Sequence, residues 1–185
     1  MCDKFDDLIA SYEVKELGKD MADIAMTDAN WDDLTSIVNI YNSTIPGRMV
    51  TADLETVTVE SKRKWFEDHS PDLRPIWVMK QDGQVIGWLS FQSFYGRPAY
   101  NATAEVSIYV AATHQGQGLG GILLQKAIEA CPGLQIDTLL GFIFAHNQPS
   151  LKLLSKFGFA EWGFLPKVAK LDDIERDLVI VGRRI

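Results

Sequence analysis

Cysteine is nearly absent from the chain. Cys2 and Cys131 are the only thiols in 185 residues and form no CxxC pair, which excludes a disulfide framework. Histidine is also scarce, and His69, His114 and His146 lack the spacing of metal ligands, so no metal is expected. Long apolar runs are missing too. Nothing approaches the ~18 apolar residues of a membrane span. The opening stretch MCDKFDDLIASYEVKELGKD is charged throughout, without the apolar core of a signal peptide. The expectations are a reduced cytoplasmic compartment and no membrane partner. Basic charge is in deficit as well: 18 Lys+Arg face 25 Asp+Glu, a formal net charge of −7. A phosphate-tracking nucleic-acid binder carries a basic surplus, so no nucleic acid is expected.

What remains is a globular composition, 46% hydrophobic and 23% charged, with no internal repeat and no Pro/Gly-rich linker. One domain over residues 21–185 is the expectation, preceded by an arm at 1–20 whose charges interrupt any apolar face. Asp20 to Met26 reads as a short strand, with Asp28 as the cap of a helix carrying Trp31, Leu34, Ile37, Val38 and Tyr41 at helical spacing. A second helix is expected from Val57 to His69. Strands at 76–80 and 85–94 flank Gln81-Asp82-Gly83-Gln84, whose Asp-Gly pair signals a hairpin. Glu105 to Val110 alternates, with Val106, Ile108 and Val110 on one face and Glu105, Ser107 and Tyr109 on the other. A helix with Cys131 on its apolar stripe stops at Pro132-Gly133, and Thr138 to Ala145 reads as a central strand. Pro149 suits the first turn of the next helix and Gly158 its C-terminal cap, with strands at 159–165 and 176–184 after it. Asp172-Asp173 and Arg176-Asp177 read as the solvated turn between them. The class is mixed α/β.

The sharpest local signal is His114-Gln115-Gly116-Gln117-Gly118-Leu119-Gly120-Gly121, between a strand and a helix. Successive glycines expose backbone N–H groups at a helix N-terminus, an anion site that needs no basic side chain. Gly116, Gly118 and Gly121 also match the dinucleotide pattern G-x-G-x-x-G, with Asp137 at roughly the right distance. That pattern wants a tight turn directly off the strand, yet five residues separate Val110 from Gly116, and only 64 follow Gly121. A P-loop fails because Ile-Leu follows Gly121 instead of Lys-Ser/Thr. The loop reads as a pyrophosphate cradle for another cofactor.

Gln115-Gly116-Gln117-Gly118-Leu119-Gly120 resembles the Q/R-x-x-G-x-G/A signature of the GNAT-type N-acetyltransferases. Ser107-Ile108-Tyr109-Val110 looks like that superfamily's cofactor strand. Asn147-Gln148-Pro149-Ser150 with Phe157-Gly158-Phe159 resembles its later N-x-x-S…GF signature. Arg97-Pro98-Ala99-Tyr100-Asn101-Ala102-Thr103-Ala104-Glu105, together with Ile40-Tyr41-Asn42, is similar to the phosphinothricin acetyltransferase-like subgroup. The resemblance covers about residue 21 to the end. It implies a single-domain fold whose central mixed sheet is splayed at an acetyl-CoA site and flanked by helices, and it implies a homodimer.

The implied activity is transfer of the acetyl group of acetyl-CoA to the amine of a small molecule, first of all an amino acid or its analogue. Backbone amides over Gln115, Gly116, Gln117, Gly118, Leu119 and Gly120 would hold the pyrophosphate. Ile108, Tyr109 and Val110 would align the pantetheine arm, with Asn147 and Ser150 as further cofactor contacts. An ammonium has no lone pair, so a base is needed, and Glu105 is the candidate: it starts the cofactor strand, and burial raises a carboxylate's pKa toward base work. Arg74, Arg97 and Tyr100 are candidate substrate contacts. Where relatives carry a Tyr or His to protonate the departing thiolate, this chain has Leu154, which reads with Leu151 and Phe157 as a core stripe. Trp65, Trp77 and Trp88 read as core, while Trp162 and Phe164 suit either a dimer face or the substrate mouth. Two rival readings are a CoA-binding module without turnover, favoured by Leu154, and a nicotinamide or flavin oxidoreductase using the glycine loop.

Overall fold

The alternation read in the sequence becomes a sheet with two differently packed faces. The computed structural model describes residues 24–185; the arm expected over 1–20 and the start of the first strand lie outside the described residues. Seven strands run β1 (Ile24–Asp28), β2 (Ile76–Gln81), β3 (Gln84–Ser93), β4 (Thr103–Val110), β5 (Thr138–Phe144), β6 (Ala160–Leu171) and β7 (Ile174–Arg184). They stand in the order β1-β2-β3-β4-β5-β7-β6, and all neighbours are antiparallel except β4 and β5. The helices are α1 (Leu34–Thr44), α2 (Val59–Glu67), α3 (Leu119–Ala130) and α4 (Gln148–Lys156). With one parallel pair, the sheet is not the doubly wound parallel sheet that a dinucleotide reading of the glycine loop requires.

Period-two alternation splits each central strand between two cores. Met79, Leu89, Phe91, Ala104 and Val106 pack with Leu119, Leu123, Leu124, Ala127 and Cys131 of α3 and its end, and with Leu154 of α4. Ile76, Val78 and Trp88 turn the other way, onto Ile37 and Ile40 of α1. Cys131 is fully buried, donates to the Ala127 carbonyl and has its thiol pushed up to about 11 by burial, as suits a small core residue.

Several local expectations hold in detail. Asp82 and Gly83 both take positive φ (49° and 76°) between the paired Gln81 and Gln84, a two-residue turn whose twist matches the strands. Gly158 takes φ +80° just past α4, whose first turn holds Pro149. Others need correction. The first helical cap is Asn30, not Asp28: Asn30 accepts from the Asp32 N–H and Asp33 reaches back to the Asn30 N–H, opening a 3₁₀ turn before α1. Asp28 ends β1 and accepts from the Trp77 indole at 3.0 Å. Trp31 therefore lies outside the core, half exposed against Phe66. At the C-terminal end β6 and β7 run on to Leu171 and Ile174, joined by Asp172 and Asp173 at φ 47° and 67°. Aspartate tolerates this left-handed geometry, so two residues suffice for the turn. Arg176 and Asp177 sit inside β7, where the Asp177 carboxylate accepts from the Lys167 N–H at a bulge in β6.

Candidate active site

Strand β4 changes partners part-way along. Its parallel ladder with β5 covers only Thr103, Ala104 and Glu105, opposite Thr138, Leu139 and Leu140. Beyond Glu105, β4 stays paired with β3 as far as Val110 opposite Gly87, while β5 stays paired with β7 as far as Phe144 opposite Leu178. The two strands therefore diverge, and the edge of β4 over residues 106–110 is left without β5. A wedge opens in the sheet with Glu105 at its apex. Ile108 and Val110 pack toward the α3 core, whereas Tyr109 faces the other side.

The glycine loop closes the wide end of this wedge. A 3₁₀ turn (Ala112–His114) leads through extended Gln115 to Gly116 at φ +78° and Gly118 at φ +79°, and α3 begins at Leu119. Both glycines occupy conformations that side chains rarely adopt, and a Cβ at either would point into open space. The requirement there is a bent backbone with uncovered amides, next to the first-turn N–H groups of α3 that lack intrahelical acceptors. These observations fit a pyrophosphate. Leu119 is buried in the main core. Gly120 and Gly121 serve packing as well: a Cβ on them would lie 3.3 Å from Leu153 and 3.6 Å from Phe157 of the α4 segment. Gln115 and Gln117 turn their amides back onto the Val110 and Thr113 carbonyls at 3.3 and 3.4 Å, bracing the loop from within.

On the face opposite α3, a cavity of about 330 Å³ opens between α1, α2, β3 and β4. Glu105, Ser107 and Tyr109, the face of β4 read from its alternation, line it together with Ser90 and Gln92. Glu105 hydrogen-bonds to no side chain among the described residues, and burial raises its pKa above the usual carboxylate value. Burial likewise raises Tyr109, whose ring stacks on Trp88 at 4.3 Å between centroids and meets Tyr41 at 5.3 Å. Tyr41 hydrogen-bonds to Thr51 and Asp53, and burial, then the Asp53 bond, pushes its hydroxyl up to about 12. Asn42 clamps Val57 through both its N–H and carbonyl at 2.9 Å, which fixes the cavity rim.

Not every residue singled out in the sequence reaches this site. Arg74 is buried elsewhere, donating to the carbonyls of Leu73, Leu134 and Asn101. A guanidinium so engaged ties the approach to β4 to the segment after α3; its buried Nε has no hydrogen-bond partner among the described residues, and Arg74 lies outside the cavity lining. Arg97 is exposed in the loop before Pro98–Tyr100 and lies outside the cavity lining, as does Tyr100, whose ring packs on Phe94 and Tyr95. Asn147 is buried, with its amide spent locally: Oδ1 accepts from the Ser150 N–H to cap α4, and Nδ2 donates to the Met49 carbonyl. Leu154 is buried against Gly141, as a core residue. Trp77 packs on Phe91 and the main core, but Trp65 and Trp88 line the cavity, a correction to their reading as core alone. Tyr41, Lys62, Ser90, Gln92 and Ser107 were not singled out as site residues, because α1, α2 and β3 converge on them only in the folded sheet. Trp162 and Phe164 lie half exposed on edge strand β6, outside the cavity lining.

A mixed sheet that splits at one parallel pair, with a glycine-rich anion loop leading into a helix at the split, defines the acetyl-CoA-dependent N-acetyltransferases. The chain belongs to the Acetyltransferase (GNAT) family, whose model matches residues 31–159. It is 53% identical to YwnH of Bacillus subtilis (strain 168), whose name places it with the phosphinothricin acetyltransferases, over 83% of this chain and 94% of that protein. It is 30% identical to the L-amino acid N-acyltransferase MnaT of Escherichia coli (strain K12), over 74% of this chain and 79% of that one. Its fold superposes with TM-score 0.83 on yncA of Salmonella typhimurium, solved with its cofactor acetyl-CoA, at 25% identity over 88% of this chain and 94% of that one. Among the described residues, no helix is long and apolar enough to cross a membrane and no cluster of three His, Cys, Asp or Glu side chains could hold a metal.

Proposed function

We propose that the chain acetylates the α-amine of an amino acid or a close analogue, with Glu105 as the base. The observation carrying this reading is a half-buried carboxylate, without an ion pair among the described residues, at the apex of the β4–β5 split and on the wall of an aromatic cavity. An acceptor in the cavity and a thioester lying along the open edge of β4 would meet at that apex. Acetyl-CoA supplies an activated acyl group. Glu105 takes the proton that the attacking amine must lose, directly or through one water. The loop amides over 115–120 would balance the pyrophosphate charge, and Ile108, Tyr109 and Val110 would present the backbone edge to the pantetheine arm. For Asn147 and Ser150 the capping contact supports an indirect part: they fix where α4 starts, beside the loop. With Leu154 aliphatic, no side chain is assigned to the departing thiolate. A thiolate whose pKa lies near 8.5 leaves tolerably without full protonation.

The amino-acid reading draws on the L-amino acid N-acyltransferase to which the chain is similar. Assembly as a homodimer is part of the proposal, and the exposed Trp162, Phe164 and Val168 on edge strand β6 are apolar surface that such an assembly would cover. A cytoplasmic location fits the supply of acetyl-CoA. The test is release of free CoA thiol from acetyl-CoA across a panel of L-amino acids, amino-acid analogues and polyamines. Turnover with amino acids above the polyamines is expected. Tight CoA binding with no acyl transfer to any amine would favour the binding-module reading instead.

A further inference from the structure

Two charged side chains line the cavity, and they have opposite sign: Glu105 on β4 and Lys62 on α2. The neighbours of Lys62 on the same helix are already matched by carboxylates. Arg63 pairs with Glu60 at 3.8 Å and Lys64 pairs with Asp68. Lys62 has no ion pair among the described residues and is half buried. Its ammonium is turned inward, 4.8 Å from the Tyr41 ring centroid and 5.9 Å from that of Trp65. Aromatic faces hold a cation in place but leave its charge uncancelled.

We infer that Lys62 is the carboxylate-recognition residue of this enzyme, selecting acceptors that carry an anionic group beside the amine. The inference rests on the proposed amino-acid acetyltransferase reading and goes beyond it, because it assigns the substrate's second charge to a residue outside the candidate arginines. Arg74, bonded to three backbone carbonyls away from the cavity, and Arg97 both lie outside the lining, which leaves Lys62 as the cation of the cavity. A carboxylate–ammonium pair on the walls is the complement of a zwitterion. The substrate amine goes toward Glu105 and its carboxylate toward Lys62, with the side chain against Trp88 and Tyr109. The same charge works by exclusion: a plain alkylammonium entering the cavity meets an uncompensated like charge, so a simple amine is disfavoured even where its shape fits.

The experiment compares L-methionine with 3-(methylthio)propylamine, and L-leucine with isopentylamine, pairs that differ only by the carboxylate. Steady-state acetylation is measured for the wild type, Lys62→Met and Lys62→Arg, with CoA affinity followed by calorimetry. The expected result is wild-type preference for the amino acid in each pair. In Lys62→Met the amino acid's KM rises at least about ten-fold, in line with loss of a charged hydrogen bond, with kcat nearly kept. The amine's kcat/KM does not fall, and Lys62→Arg restores the preference. CoA affinity is the same in all three. Equal losses on amino acid and amine, or no loss on either, would overturn the role of Lys62 while leaving the acetyltransferase reading intact. Absence of turnover with every amine would instead remove the parent reading, and the inference with it.

Discussion

The two faces of the sheet are filled by different chemistry. Toward α3 and α4 the packing is aliphatic and closed, with Leu89, Ala104, Leu123, Leu124, Ala127 and Leu139 completely buried. Toward α1 and α2, Ile37 and Val38 share the cavity wall with rings and polar groups, Tyr41, Trp65, Trp88 and Tyr109 with Ser90, Ser107 and Glu105. Flexible aliphatic chains interdigitate until little space remains. Rigid rings in stacked and edge-on contacts cannot follow each other's contours so closely, and a cavity persists between them. One strand serves both arrangements. Val106 and Ile108 anchor β4 in the closed core, and the residues alternating with them, Glu105, Ser107 and Tyr109, are thereby held at fixed positions on the open side. The closed face carries the stability that lets the other face keep an uncancelled carboxylate.

Substitutions on the two faces should separate activity from stability. The largest effect is expected for Glu105→Gln, a loss of about 10²–10⁴-fold in kcat near neutral pH, the usual range for a general base. Stability should move the other way. The folded-state pKa of Glu105 lies above its unfolded value, so its contribution is present at low pH and is lost as pH rises through the raised folded pKa. Thermal melts from acid to neutral pH should show a flatter decline for Glu105→Gln than for the wild type. A Gln variant less stable than wild type at pH 7 would contradict the unpartnered carboxylate. On the closed face, Leu123→Ala should cost about 2–5 kcal/mol in denaturant unfolding, while the fraction that remains folded keeps its KM for both substrates. Gly118→Val sits between the regions. Forcing a β-branched residue to φ +79° costs of order 1–3 kcal/mol and crowds the loop amides, so CoA should bind about ten-fold more weakly or worse by calorimetry. Unchanged affinity would show that the loop is not the cradle. The smallest effect is expected for Tyr41→Phe, which removes the bonds to Thr51 and Asp53. A loss of about 1 kcal/mol of stability and a modest rise in the acceptor's KM should result.

Much of the closed half was legible in the sequence, because its signals are local. The Asp82-Gly83 turn, the period-two faces of β4, the apolar stripe of α3 and Pro149 with Gly158 each depend on residues a few positions apart. The bent backbone of the glycine loop was legible for the same reason, since Gly116 and Gly118 at positive φ are features of consecutive residues. The open half is assembled from segments distant in sequence. Composition cannot distinguish a tryptophan that fills a core from one that walls a cavity, which is why Trp65 and Trp88 read as core alone. Arg74 misled in the opposite direction: a cation offered as a substrate contact bonds buried carbonyls instead. Asp172-Asp173 was legible as a turn, but its shortness was not: the charges of Arg176 and Asp177 look like loop, yet they lie inside β7.

The split between β4 and β5 has a mechanical consequence. Its two arms are joined at three residue pairs and are tied again farther out, where His146 and Asn147 hold the carbonyls of Arg48 and Met49 and where Arg48 reaches Asp172 on the β6–β7 turn. Such a frame resembles a pair of tongs with a tether across the tips. In such a frame any relative displacement of the arms would shrink toward the paired residues at the pivot. Glu105 is the last pair before the arms part, and it also pairs with Gln92 on its other side. The group proposed to move the proton therefore stands at the pivot, the point of the frame least disturbed by the loading of either substrate.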